Sequence, residues 1–438
     1  MAYDSKHAET LVLHGGQRSD PETKAVATPI YQTTAFEMPD FEQAADLFAL
    51  KAFGNIYSRI MNPTNAELEQ RLTAIEGGVP FRVAGITSAM ATASGQAATL
   101  MSIQNIAHAG DNIVSSTDLY GGTWNLFANT LSTMGIEVRF VDPEDPQAFA
   151  DASDDKTRCY YAETLPNPKL QVFPIAEIAE VGRDLGIPLI MDNTAAPLLC
   201  RPLDHGAAVV VHSTTKYIGG HGNGIGGIVI DGGNFPWEAH AERFPMLTEP
   251  DPSYHGAVWT EAVRDIAPIA YIVKLRVHLM RDFGACMSPT NAFYFIQGLE
   301  TLPLRMERHC ENAARVASYL SEHPKVTKVI YPGMMDGIYQ ARAETYLQGG
   351  YGNLVGFELE GGREAGGRFI NGLELFYFLA NIGDARSLAI HPASSTHSQL
   401  EDDDLEQTGV TQGYVRLSVG IEHIDDILTD LDRALAAA

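Results

Sequence analysis

Three textures of apolar and polar positions follow one another along the chain. From Asn65 the segment AELEQRLTAIEGG sets Leu68, Leu72 and Ile75 on one helical face and ends on Gly77-Gly78, which predicts a helix and its C-terminal stop. Short, nearly uninterrupted apolar runs then recur at NIVSS (112–116), IEVRFV (136–141), RCYYAE (158–163), IPLIMD (187–192), AAVVVHS (207–213) and GGIVI (226–230). Helical segments such as TWNLFANTLSTMG and IAEIAEVGRDLG separate most of them. Apolar strands alternating with helices predict an α/β fold with a mainly parallel sheet, covered by helices on both faces.

The flanking regions read differently. Up to about residue 65, QRSDPETKAVATPIYQTTAF and YSRIMNPTN are rich in Thr, Pro and Asn and hold no sustained period. They predict an arm that gains stability by lying on something else, such as a second subunit. After about residue 285 a long helical stretch leads into VTKVIYPG, GNLVGFELEGG and YVRLSVGIE, the pattern of a smaller α+β domain with an antiparallel sheet. The expected organisation is an arm over 1–65, a large domain over 66–285 and a small domain over 286–438.

Charge narrows the partners. With 30 Lys+Arg against 55 Asp+Glu the formal charge is −25, and no basic run offers a nucleic acid or an anionic membrane a footing. No stretch approaches the roughly 18 apolar residues of a spanning helix, and MAYDSKHAETLVLHGG lacks the pattern of a signal peptide. The expectation is a soluble, cytoplasmic globular protein. The four cysteines, Cys159, Cys200, Cys286 and Cys310, are far apart and are expected to be reduced and buried rather than metal ligands.

Open parallel sheets bind ligands at the carboxyl ends of their strands. The polar residues there are Asp118 and Tyr120, Glu163 to Asn167, Asp192 to Thr194, and Ser213 to Lys216. Lys216, after an apolar strand and within HSTTKYIGGHG, has the setting of a desolvated lysine able to form a Schiff base; a turn lysine is the ordinary alternative. Asp192 can face a protonated pyridine nitrogen, or serve as a cap. Ser94-Gly95-Gln96 opens an apolar helix whose free N–H groups suit a phosphate, with Ser213 and Thr215 as further donors, though it is also an adequate plain helix start. Tyr120 can stack on a planar ring or lie buried under a loop. Arg416, inside the strand YVRLSVGIE, suits a carboxylate or an internal salt bridge. The run GNGIGG matches a dinucleotide fingerprint but leads into a strand where that motif needs a helix, so no NAD site is expected.

Taken together, YSRIMNPT, ASGQAA, DLYGGT, ETLPNP, DNT, HSTTKYIGGHG, HPASSTHSQL and VRLSVGIEHIDD closely resemble the Cys/Met metabolism family of pyridoxal-phosphate enzymes, over essentially the whole chain. The resemblance implies the aspartate-aminotransferase-like fold type I, with pyridoxal 5'-phosphate in the large domain. It also implies a homotetramer, a dimer of dimers whose sites are shared across an interface. Carried over, Lys216 would bond to the cofactor, Asp192 would meet its ring nitrogen, Thr194 would also be a cofactor-binding residue, and Tyr120 would stack on the ring and assist proton transfer. Asn167 would approach its phenolic oxygen. Ser94, Gly95, Gln96, Ser213 and Thr215 would hold the phosphate, joined by Tyr57 and Arg59 of a neighbouring subunit. Asn381 and Arg416 would take the substrate carboxylate.

Within the family, RIMNPT, TEPDPSYHG, IDGGNFPW and Gly121-Gly122 resemble the branch that performs γ-replacement on O-acetylhomoserine. By that resemblance sulfide would yield homocysteine, and methanethiol methionine. Methionine γ-lyases, the nearest rival, carry Cys at the place of Gly122 and Ser at that of Asn381; cystathionine synthesis is a third option. A non-catalytic relative would have lost Lys216 or Asp192, and both are present. Three departures stand out: Ala195 in place of an aromatic, Pro166 in place of a small residue, and a longer PFRVAGITSAM. They bear on entrance shape and loop position.

Overall fold

Seven strands form the larger sheet: β1 (Ala89–Thr92), β2 (Asn112–Ser116), β3 (Glu137–Val141), β4 (Thr157–Glu163), β5 (Leu189–Asp192), β6 (Val209–His212) and β7 (Gly227–Asp231). Their order across the sheet is β1-β7-β6-β5-β4-β2-β3. Every pairing is parallel except the two made by β7. The computed structural model describes residues 5–16, 19–49, 51–83, 85–395 and 409–438. The part of HPASSTHSQL from residue 396 onward therefore lies outside the described residues.

The strands lack polar alternation because each face enters a core of its own. Tyr160, Ala162, Leu189, Met191 and Val210 pack on one side, and Cys159, Tyr161, Ile190, Val209 and Val211 on the other. Helices seal both layers. Helix α1 (Pro63–Glu76) starts on the Asn62 side chain, which accepts from Thr64 N–H, and stops at Gly77, whose φ of 79° is left-handed. Helix α2 (Gly95–Gln104) starts on Ser94, whose hydroxyl accepts from Ala97 N–H. Strand β1 escaped the pattern reading because AMAT is only four residues long and holds two alanines.

A second sheet of five strands, β8 (Val326–Ile330), β9 (Leu354–Leu359), β10 (Tyr377–Phe378), β11 (Leu388–Ile390) and β12 (Tyr414–Ser418), runs in the order β8-β9-β12-β11-β10. It is antiparallel except where β10 meets β11. The long helical stretch is two helices, α3 (Pro289–Glu300) and α4 (Leu302–Ser321), and α4 packs on this sheet with α5 (Ile424–Ala437).

The N-terminal region is less featureless than its sequence. It holds two short helices, Ala8–His14 and Phe41–Phe48, the second capped by Asp40. It is tied to the start of α1, where Thr64 Oγ1 donates to Pro29 O and accepts from Tyr31 N–H, at 2.7 and 3.0 Å. Apolar side chains nevertheless remain on its surface, with Val26 and Phe41 87% and 88% exposed. Cys159, Cys200 and Cys310 are buried, whereas Cys286 is only partly so. Among the described residues no helix is long and apolar enough to cross a membrane.

Candidate active site

The parallel register brings the predicted chemistry to one edge. Glu163 and Asp192 end β4 and β5 as paired neighbours, and β6 runs directly into Ser213 and Lys216. Asp192 accepts the backbone N–H of Thr194 at 2.8 Å, and the hydroxyls of Thr194 and Tyr161 lie close to its carboxylate. Thr194 Oγ1 in turn accepts from Ser213 N–H at 2.8 Å, linking the Asp192 turn to the lysine loop. Burial pushes the Asp192 carboxyl upward, while its hydrogen bonds and nearby His212 oppose that shift.

Lys216 is enclosed at this edge, and its Nζ donates to Asn381 Oδ1 at 2.5 Å. Arg416 on β12 donates from Nη2 to Asn381 O at 2.9 Å, and its Nε is buried without a partner. Burial, then the positive charge of Arg416, lowers the Lys216 amine to about 8. The second sheet thus delivers two groups to a lysine on the first, and they meet through one asparagine.

The phosphate cradle depends on a close approach. A Cβ on Gly95 would stand 2.6 Å from Ser213 Cβ and 2.9 Å from its Cα, so the start of α2 reaches the Ser213 loop only as glycine. The first N–H groups of α2 point out of the helix, where an anion is favoured. Gln96 extends toward Tyr120, since a Cβ on Gly122 would meet Gln96 Nε2 at 3.0 Å and Tyr120 Cε1 at 2.5 Å. Tyr120 is 56% exposed, its ring lying over Gly122. Asn167 Oδ1 is buried and unpartnered, a polar atom aimed at nothing the chain supplies. This donor set fits pyridoxal phosphate: an anion cradle, a carboxylate for the ring nitrogen, a neutralisable amine and an orphan amide.

Three further residues assigned to the phosphate, Thr215, Tyr57 and Arg59, have other surroundings in the single chain. The Thr215 hydroxyl donates to Gly226 O and accepts from Gly226 N–H, at 3.1 and 3.0 Å, so its proton is engaged within the chain. Tyr57 and Arg59 are exposed and stack on each other at 5.3 Å. Among the described residues, no hydrogen bond joins them to the Lys216 cluster. Glu163 and Asp118 entered the sequence reading only as strand-end polar residues with no assigned role, and the Asp118–Lys169 ion pair, 2.6 Å long, was not foreseen. The available signal was that RCYYAE and IPLIMD are neighbouring apolar strands that both end on an acid.

Comparison with known proteins agrees with this geometry. The family model described as Cys/Met metabolism PLP-dependent enzyme matches residues 9–436. An O-acetyl-L-homoserine sulfhydrylase of Leptospira meyeri is 53% identical over 98% of this chain and 96% of its own. One from Thermus thermophilus is 49% identical over 98% and 99%. A homocysteine synthase of Schizosaccharomyces pombe is 45% identical over 100% of both chains. A crystal structure from Campylobacter jejuni, which contains N'-pyridoxyl-lysine-5'-monophosphate, superposes with a TM-score of 0.91 at 38% identity, covering 98% of this chain and 100% of that one. The chain belongs to the Cys/Met metabolism family of PLP-dependent enzymes, and pyridoxal 5'-phosphate is its cofactor.

Proposed function

We propose that the protein catalyses γ-replacement on O-acetyl-L-homoserine, with sulfide displacing acetate to give L-homocysteine. The single observation that carries this reading is the junction of Lys216, Asn381 and Arg416: a lysine of lowered basicity beside an amide and a guanidinium. The names of relatives at 45–53% identity support the same substrate and product.

When bound, pyridoxal phosphate supplies a sink for the electrons left at Cα after deprotonation. Arg416 and Asn381 would hold the substrate α-carboxylate, which places Cα beside Lys216. Lys216 Nζ would take the Cα proton and then move a Cβ proton, work suited to an amine lowered to about 8. Asp192, charged, would hold a proton on the ring nitrogen. Tyr120 would cover the ring, Asn167 would meet its phenolic oxygen, and Ser94, Gly95, Gln96 and Ser213 would bind the phosphate. Acetate leaves Cγ, and sulfide adds at the same carbon. Gly122 leaves no room for a side chain beside Tyr120 and Gln96, and it is a residue at which the sequence differs from the lyases, which carry Cys there.

The decisive assay is O-acetylhomoserine with and without sulfide. Homocysteine formed in proportion to sulfide is the expected outcome, and 2-oxobutanoate as the main product with sulfide present would establish a γ-lyase instead. Parallel assays with O-succinylhomoserine and methanethiol define the acyl group and the thiol.

We further propose a cytoplasmic homotetramer in which the arm over 1–65 lends Tyr57 and Arg59 to a neighbouring subunit's phosphate site, with 66–285 and 286–438 as the large and small domains. The exposed Tyr57–Arg59 pair and the exposed apolar side chains of the arm support it. Light scattering gives the assembly. Mixing inactive Arg59→Ala and Lys216→Ala proteins should restore part of the activity if sites are shared.

A further inference from the structure

Glu163 is buried beside Asp192, and neither carboxylate has a Lys or Arg partner among the described residues. Two adjacent carboxylates in an enclosed site cannot both ionise cheaply, so the pair retains a proton. Hydrogen bonding decides where it resides. Asp192 accepts the N–H of Thr194 at 2.8 Å and has the hydroxyls of Thr194 and Tyr161 close by, all of which favour its charged form. Glu163 accepts a single backbone N–H, that of Tyr120, at 2.7 Å.

The same contact fixes a loop. Asp118 and Tyr120 follow β2, and both are tied to the segment at the end of β4: Asp118 by Lys169 at 2.6 Å, Tyr120 by Glu163. Tyr120 therefore owes its position over Gly122 to an acid on the neighbouring strand.

Resting on the reading of Asp192 and Tyr120 as cofactor residues, we propose that Glu163 is a positioning residue that stays protonated in the working enzyme. Its carbonyl oxygen holds the Tyr120 loop, and its neutrality leaves Asp192 as the one negative charge facing the ring nitrogen. The groups facing it are Asp192 on β5, Asp118 after β2 and the Tyr120 amide. Burial, then the charges of Asp192 and Asp118, push Glu163 well above the carboxylate range against the pull of that amide.

The test compares wild type, Glu163→Gln and Glu163→Ala as holoenzymes. Its readouts are pyridoxal-phosphate affinity, the pH titration of the visible cofactor band, and kcat and KM. Glutamine keeps the carbonyl acceptor and carries no charge, so affinity and turnover should stay within about threefold of wild type, with the titration midpoint unmoved. Alanine leaves the Tyr120 amide unpaired and should weaken cofactor binding and raise KM, each about tenfold. Glutamine as damaging as alanine would show that charge at this position is required and would overturn the proposal. Alanine indistinguishable from wild type would do the same. If the alanine protein does not fold, the glutamine titration decides alone: an unmoved midpoint supports the proposal, and a shift of about one unit or more overturns it. Affinity and titration need no substrate. A wild-type protein that binds the cofactor yet makes no homocysteine therefore overturns the reaction proposed above and leaves this inference standing.

Discussion

Lys216 and Lys274 are both enclosed, both lack a carboxylate hydrogen-bond partner, and burial brings both amines to about 8. Lys274 is 2% exposed and donates to Asn105 O and Oδ1, at 2.9 and 3.2 Å. Asp251 lies near enough to draw its basicity partly back up. Lys216 has one acceptor, supplied by a distant part of the chain, and a guanidinium that lowers its basicity further. A depressed lysine is thus not in itself a sign of chemistry. What separates the two is place: Lys274 sits within a helical layer whose acceptors it satisfies, and Lys216 stands at the carboxyl edge of a parallel sheet among polar groups left open.

The comparison breaks most visibly at Lys216. Lys216→Ala should lose turnover on the order of 10⁴-fold and the borohydride-sensitive cofactor band, while denaturant midpoints stay level or rise. Lys274→Ala should do the reverse. It leaves a cavity and the unpaired acceptors of Asn105, at a cost of about 2–5 kcal/mol in unfolding free energy, with turnover per cofactor-loaded site unchanged. Full turnover in the first variant, or lost turnover in the second, would dissolve the distinction.

Gly122→Cys tests the open edge more finely. Its Cβ would press on Tyr120 and Gln96, and relieving that contact should lower kcat/KM about tenfold, the scale of overpacking. A further effect is in pH. The folded Lys274 amine, at about 8, lies below the ordinary value of about 10.4. Between those pH values the unfolded chain binds the extra proton, so stability rises with pH across the window and its cost is fully present below it. Lys274→Met should remove that rise, measured as the difference in unfolding free energy between the two proteins at successive pH values.

Much of this was legible because the signals are local. The helix at 63–76 announces itself through its Asn62 cap, its apolar face and its glycine stop. Near-continuous apolar runs foretold the strand that ends on Asp192 and the strand that leads into Lys216. Strand β1, by contrast, draws its identity from the antiparallel partner β7 rather than from AMAT itself. Thr215 read as a phosphate donor because of its neighbours in sequence, and only the fold shows its hydroxyl bonded to Gly226, eleven positions on. Glu163 looked like any acid at a strand end; it gains its role from β5 beside it and from the Tyr120 amide, 43 positions away.

The sequence by itself determined the fold class and the family, and it named the candidate side chains. Periodicity, glycine stops and strand-end polar residues act over a few positions and persist in any register. Only the tertiary structure decided which acid stands beside Asp192, which amide meets Lys216, and which glycines must remain bare. Those outcomes depend on burial and on contacts between segments as far apart as Lys216 and Asn381. The energy of a buried charge is set by what folding brings within hydrogen-bonding distance, and neighbours in sequence do not fix that.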